Sequence, residues 1–149
     1  MSEALLDLVN AELLPLITRL GFVVVHSETA PSFDNANVVL EGAALRLRVV
    51  RERGQVFLVI GPRSEPGTWF DSALLMDYLG LSSSASFSYD DARQTLRGAG
   101  AFVTAMSDEL IAAFSSQQLA ATKKELRSRA EARAEKMFGW SPPARKSNE

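Results

Sequence analysis

Hydrophobic residues recur at three- and four-residue steps from the start of the chain, and this spacing predicts an amphipathic helix over residues 2–20. Ser2 is suited to cap this helix, and Gly21 is suited to end it in the left-handed conformation. Pro15 lies inside the helix, where it lacks the backbone donor that a helical turn uses. We therefore expect one N-terminal helix with a kink near Pro15.

After Gly21 the pattern changes to β-branched runs and to the two-residue period of strands. The predicted strands cover residues 22–27, 37–41, 45–51 and 55–60. The first run, FVVVHS, is continuously apolar, so we expect a strand that is buried on both faces. Gly42 and Gly54 stand where tight turns are needed, which predicts an antiparallel meander.

The segment LRLRVVRERGQVFLVIG, residues 45–61, contains the four arginines Arg46, Arg48, Arg51 and Arg53. Arg46 and Arg48 share one face of a strand, whereas Arg51 and Arg53 have the opposite parity, so the four do not form one basic stripe. A turn centred on Arg53 and Gly54 sets the register of the hairpin. The pairs are then Leu47 with Ile60 and Val49 with Leu58 on the core face, and Val50 with Phe57 and Arg48 with Val59 on the other face.

Two or three helices are predicted beyond the sheet. Thr68 or Asp71 caps a short helix that ends at Gly80, and Ser88 with Asp91 resembles a capping box at the start of a long helix. The apolar stripe of the long helix advances by three and four residues through Leu96, Ala99, Val103, Met106, Leu110 and Phe114.

Ser115 and Ser116 mark a break, after which residues 117–138 favour an alanine- and charge-rich helix with little apolar cover. The predicted fold class is α+β: an N-terminal helix, a four-stranded, mainly antiparallel sheet, and two to three helices with a long C-terminal one. We expect a single domain over residues 1–114, a charged C-terminal helix over 115–138 and a disordered tail over 139–149.

Composition and charge narrow the class of protein. The chain is 46% hydrophobic and 23% charged, which is typical of a globular protein. It shows neither an apolar run long enough to span a bilayer nor the pattern of a signal peptide, so we expect a cytoplasmic protein without membrane contact. Residues 1–122 carry 8 basic and 14 acidic residues, a net charge of −6, whereas residues 123–149 carry 8 and 4, a net charge of +4.

Few residues suit catalysis or metal binding. The absence of cysteine and the single histidine, His26, exclude the usual zinc ligand sets. His26 shares a predicted strand face with Glu28, so this pair is a candidate for acid–base chemistry, with a structural hydrogen bond as the alternative. The prolines of residues 61–67 remove the backbone donors that a phosphate loop needs. We predict no catalytic residue, no metal site and no cofactor.

The hairpin face opposite the core mixes arginines with apolar residues, which is not typical of a solvated surface. The candidate contacts for a partner protein are Arg46, Arg48, Val50, Phe57, Val59 and Trp69. Trp69 is included because tryptophan is favoured at interaction hot spots, although it also suits an anchor for the following helix. Three candidates for what covers this face are left open: the last helix of the same chain, a partner protein and nucleic acid.

Three sequence features resemble a known group of proteins: Leu20, Gly21 and Phe22 at the end of the first helix, the run RGQVFLVIG, and W-x-D-x-x-L-L from Trp69. Between Leu13 and Leu79 the chain resembles small bacterial α+β proteins of the toxin-immunity type. The resemblance implies a cytosolic, non-enzymatic antagonist of one protein, with no catalytic residue to transfer. The basic C-terminal helix departs from that pattern.

We therefore predict a non-enzymatic, cytosolic protein–protein interaction module of the immunity-inhibitor type. The alternative is a nucleic-acid-associated protein whose contact lies between Lys123 and Lys146 in the basic C-terminal segment. An enzyme built on His26 and Glu28 is a third hypothesis. The identity of the partner and the formation of a homodimer are both open at this level.

Overall fold

The computed structural model describes residues 4–30, 35–80 and 91–138. The predicted cap at Ser2, the Ser88 half of the capping box and the predicted tail lie outside these residues. The elements follow in the order α1 (Leu5–Glu12), α2 (Leu14–Leu20), β1 (Val23–Thr29), β2 (Ala36–Glu41), β3 (Leu45–Glu52), β4 (Gln55–Pro62), β5 (Phe70–Asp71), α3 (Ser72–Tyr78), α4 (Ala92–Ala113) and α5 (Leu119–Phe138). The α+β class, with helices before and after an antiparallel sheet, is confirmed.

The N-terminal helical region is divided at Leu13, whose φ of −104° and ψ of 18° are not helical. Pro15 lies in the first turn of α2, where its missing N–H has no helical acceptor to lose. The predicted kink is thus present two residues before the proline. Gly21 ends α2 with a φ of 72°, the left-handed conformation that was predicted for it.

The sheet is an antiparallel meander with the strand order β1-β2-β3-β4-β5. The β3–β4 hairpin has the predicted register, with Leu47 opposite Ile60 and Val50 opposite Phe57. Its two turn residues, Arg53 and Gly54, have φ values of 52° and 82°. Positive φ at both positions is the type I′ geometry that matches the twist of a two-residue hairpin.

Two strand predictions need correction. The sheet has a fifth strand, β5, which consists of only two residues and carries no periodic pattern of its own. The prediction that the first strand is buried on both faces is wrong, because β1 lies at the sheet edge with six of its seven residues exposed. Its valine-rich composition is that of a central strand, but of its three valines Val24 packs against the core whereas Val23 and Val25 are exposed.

Helices cover one face of the sheet, which we call the core face. α1 packs on β2, and α4 packs on β4 as well as on α1 and α2. The predicted stripe of α4 points into this core, with Leu96, Ala99, Val103 and Leu110 fully buried. α4 begins one residue after Asp91, whose Oδ1 accepts a hydrogen bond from Gln94 N at 3.1 Å.

The last helix does not cover the opposite face of the sheet. α5 packs against α3, and Leu119 and Leu126 extend the core at 7% and 1% exposure. Thr122, fully buried, donates a hydrogen bond to Ala113 O at 2.7 Å and joins the start of α5 to the end of α4. Of the three coverings left open for this face, the last helix of the same chain is therefore excluded for the described residues.

Candidate partner-binding face

We call the sheet surface that faces away from the helices the outer face. Strand alternation places the following residues on it: His26 and Glu28 from β1, Asn37, Val39 and Glu41 from β2, Arg46, Arg48 and Val50 from β3, and Phe57 and Val59 from β4. Five of the six predicted contact residues lie on this face within β3 and β4. The sixth, Trp69, reaches the same face.

Trp69 reaches the outer face because β5 pairs with β4. Phe70 lies opposite Ile60 and stacks on Phe114 in the core, with ring centroids 5.5 Å apart. Since successive residues of an extended chain point to opposite sides, Trp69 lies on the outer side, beside Arg46. The two-residue strand β5 thus decides where this tryptophan points, and no pattern in the sequence predicts that strand.

Arg46 is held by contacts within the chain. Its guanidinium carbon lies 5.4 Å from the centroid of the Trp69 ring, and its Nη1 donates to Pro66 O at 3.2 Å. Its Nε lies 3.3 Å from Glu41 Oε2, and Glu41 also pairs with Arg63 at 3.0 Å. With only 18% of its side chain exposed, Arg46 connects β3 to the segment between β4 and β5.

Arg48 differs from Arg46 although it lies only two residues away on the same face. Among the described residues no hydrogen bond or ion pair holds its guanidinium. Its cross-strand neighbours are Val39 on β2 and Val59 on β4, and its charge also contributes, as the smallest cause, to the lowered pKa of Glu28 on β1. The structure therefore separates the two predicted arginines into one that holds a loop and one that makes no hydrogen bond or close ion pair with the described residues.

The apolar part of the outer face lies around Arg48. Val50 and Phe57 are directly opposite each other on β3 and β4, and Val59 follows Phe57 on the same face. These three side chains are partly exposed, whereas the core-face residues that alternate with them are buried. No described helix packs over them, so they form an apolar patch with one cation beside it.

His26 and Glu28 lie at the β1 margin of this face, and the prediction that they share a face is confirmed. His26 Nε2 is 3.1 Å from Glu28 Oε2, with 53% and 62% of the two side chains exposed. The hydrogen bond from His26, with a smaller contribution from Asn37, lowers the pKa of Glu28. The carboxyl group therefore stays ionised and serves as an acceptor for its neighbours.

The basic helix α5 uses part of its charge inside the chain. Lys123 forms an ion pair with Glu65, and this bond together with the Thr68 hydroxyl lowers the pKa of Glu65. Arg129 is 2.7 Å from Asp77 and lies over the ring of Tyr78. These contacts fasten α5 to α3 and to the loop before it, so two of its cations have acidic partners on the same chain.

Within residues 4–30, 35–80 and 91–138, no three His, Cys, Asp or Glu side chains are grouped so as to hold a metal ion. None of the helices described there is both long and apolar enough to cross a membrane. No protein-family model, curated protein or solved structure was found to match the chain. The likeness to toxin-immunity proteins accordingly stays a prediction from the sequence.

Proposed function

We propose that the protein is a non-enzymatic interaction module that binds a partner protein through the outer face of its sheet. The observation that carries the proposal is the patch of Val50, Phe57 and Val59, partly exposed at the centre of the sheet beside the guanidinium of Arg48. Contiguous apolar surface with a polar rim is typical of a binding site for another protein. An immunity-type inhibitor, which acts by binding one protein, is the particular role that we propose.

The chemistry of the patch defines the partner segment that fits it. An apolar side chain would pack against Phe57, and a carboxylate on the partner would pair with Arg48. An arginine that is already surrounded by valines loses little further hydration when a carboxylate approaches, and planar arginine–carboxylate pairs are strong. The partner segment is therefore expected to combine apolar and acidic residues.

A capture experiment with a matched control tests this proposal. Tagged wild type, Phe57→Asp and Ile111→Asp are incubated with native lysate, with and without nuclease, and the bound proteins are identified by mass spectrometry. Ile111 is an exposed apolar residue of α4, 41% exposed, so its substitution introduces the same charge away from the outer face. Circular dichroism and thermal unfolding establish that each variant is folded.

The expected result is one protein that wild type and Ile111→Asp retain in both nuclease arms and that Phe57→Asp loses. A photo-crosslinking residue at position 59 should then link to that protein. Equal capture by folded Phe57→Asp would contradict the proposal. Capture that disappears with nuclease would instead favour nucleic-acid binding through exposed residues of α5 such as Lys124 and Arg127.

A further inference from the structure

The sheet ends differently at its two edges. The β5 edge has two residues, whereas β1 at the other edge has seven, and no described strand lies beyond it. Val23 and Val25 of β1 are 61% and 50% exposed. A long edge strand with exposed apolar residues is a template on which another strand can pair.

The hydrogen-bond pattern shows which backbone groups of β1 face outward. Ala30 N donates to Asn35 O at 2.7 Å, which identifies these two residues as a hydrogen-bonded pair of the β1–β2 ladder. Such pairs recur every second residue in an antiparallel ladder. The next hydrogen-bonded pairs in this register are Glu28 with Asn37 and His26 with Val39, where the regular register ends because the pairing shifts between Val24 and His26.

The β2–β3 ladder shows independently which residues of β1 direct their backbone groups outward. Gly42 N donates to Leu45 O at 2.8 Å, and this places the even-numbered residues of β2 in hydrogen bonds with β3. The odd-numbered residues of β2 therefore bond to β1. In β1 it follows that Ser27 and Thr29 direct their N–H and C=O groups away from β2, toward the open edge.

The polar side chains of His26 and Glu28 alternate with these outward backbone groups. His26 and Glu28 flank Ser27 and point to the outer face, 3.1 Å apart at Nε2 and Oε2. A strand with this pattern is complementary to itself when it is turned by a half rotation about Ser27. The rotation brings a histidine opposite a glutamate at both flanking positions.

We propose that two copies of this protein form a homodimer by antiparallel pairing of their β1 strands about a two-fold axis at Ser27. Ser27 then forms a hydrogen-bonded pair with its own copy. His26 lies opposite Glu28 of the second copy in a non-hydrogen-bonded pair, where side chains approach most closely. The result is one continuous ten-stranded sheet, since each copy contributes the five strands described above.

Other positions of the axis fit less well. An axis at Glu28 places two carboxylates directly opposite each other, and an axis at His26 leaves each Glu28 opposite an apolar residue. An axis at Thr29 takes Ser27 beyond the end of the neighbouring strand. Of the positions compared, only the axis at Ser27 pairs each histidine with a glutamate, and closed two-fold symmetry is the commonest way in which identical chains associate.

This dimer goes beyond the proposed partner binding and does not rest on it. Because the two-fold axis is perpendicular to the sheet, both outer faces lie on the same side of the assembly. The β1–β1 contact does not include Val50 or Phe57, which lie on β3 and β4, so dimer formation and partner binding can be measured separately.

The first test is sedimentation equilibrium of the full chain and of two variants at position 27. Ser27→Pro removes the outward N–H and is compatible with an edge strand, whereas Ser27→Ala keeps that N–H. Wild type and Ser27→Ala are expected to be dimers, and Ser27→Pro, folded by circular dichroism, is expected to be a monomer. A wild type that stays monomeric up to about 1 mM overturns the proposal, and so does a folded Ser27→Pro that dimerises as wild type does.

The second test exchanges the flanking side chains, His26 and Glu28, and does not depend on the proline variant. His26→Glu faces Glu28 of the second copy with a like charge and is expected to weaken the dimer at least about tenfold. The double variant His26→Glu with Glu28→His recreates the histidine–glutamate pairs and is expected to restore the wild-type dissociation constant. Equal dissociation constants for wild type and His26→Glu, or failure of the double variant to restore association, overturn the register at Ser27.

Discussion

The guanidinium carbon of Arg46 lies 5.4 Å from the centroid of the Trp69 ring, so a cation–π contact joins β3 to the residue that precedes β5. The same arginine also bonds to Pro66 O and pairs with Glu41. Three separate segments of the chain thus meet at one side chain. This arrangement holds the connection between β4 and β5 against the end of the sheet.

Substitution of Arg46 should loosen that connection. Arg46→Ala is expected to lower the free energy of unfolding by about 1–2 kcal/mol, because the cation–π contact and the bond to Pro66 are lost together. Arg46→Lys keeps the charge but not the planar fork, so it should recover only part of this loss. Urea unfolding measures the difference, and equal stability of Arg46→Lys and wild type would argue against a role for guanidinium geometry.

Gly61 is required by a close backbone approach. A Cβ atom at this position would lie 2.0 Å from Thr68 O, and neither backbone segment can give way without moving the loop. Gly61→Ala is therefore expected to destabilise the fold by at least about 2 kcal/mol. Gly67→Ala, in the same loop but with nothing within 4 Å of its Cβ, should change stability by less than about 0.5 kcal/mol. Similar losses for the two variants in thermal unfolding would contradict this account.

The turn of the β3–β4 hairpin holds a residue that is poorly suited to it. Arg53 has a φ of 52°, a conformation that asparagine adopts more readily than arginine. Its backbone N–H donates to Asn35 Oδ1 at 2.9 Å, and a substitution of the side chain preserves this bond. Arg53→Asn is expected to raise the free energy of unfolding by about 0.5 kcal/mol, whereas Gly54→Ala should lower it by about 1 kcal/mol. Chemical denaturation of both variants tests the expected opposite signs.

The lowered pKa of Glu12 makes the free energy of unfolding depend on pH. Its carboxylate is 8% exposed and pairs with Arg97 and with Arg93, the latter at 2.9 Å. The hydrogen bond from Arg97, and then that from Arg93, lowers the pKa of Glu12 despite the opposing effect of burial. A carboxyl group whose pKa is lower in the folded state stabilises the fold above its unfolded pKa of about 4.3, and this contribution is lost as the pH falls through the folded pKa.

Glu12→Gln should therefore be less stable than wild type at pH 7, and the difference should shrink as the pH is lowered below the ordinary carboxyl range. Thermal unfolding of both proteins across the acidic range measures this difference. Asp108→Asn, at an exposed position of the same helix that supplies Arg97, serves as the control for removal of one carboxylate. A difference between Glu12→Gln and wild type that stays constant with pH would contradict the assignment to the arginine pairs.

Much of the candidate face was predictable because strand alternation and turn chemistry are local properties. The two-residue turn at Arg53 and Gly54 fixes the register of the hairpin, and the register fixes that Arg48, Val50 and Phe57 share a face. Which of the arginines is held within the chain was not predictable. That depends on Trp69, which is 23 positions from Arg46 and reaches it only because β5 pairs with β4.

The sequence by itself determined the elements, their order and the α+β class, because periodicity, proline and glycine act on the residues next to them. Only the tertiary structure decided that the valine-rich β1 lies at an edge and that α5 packs on α3 instead of the outer face. A continuously apolar strand has the same local pattern whether or not a neighbour covers it. The thin apolar stripe of α5 likewise fits more than one surface, and the choice between them depends on ion pairs such as Arg129 with Asp77, which are far apart in the sequence.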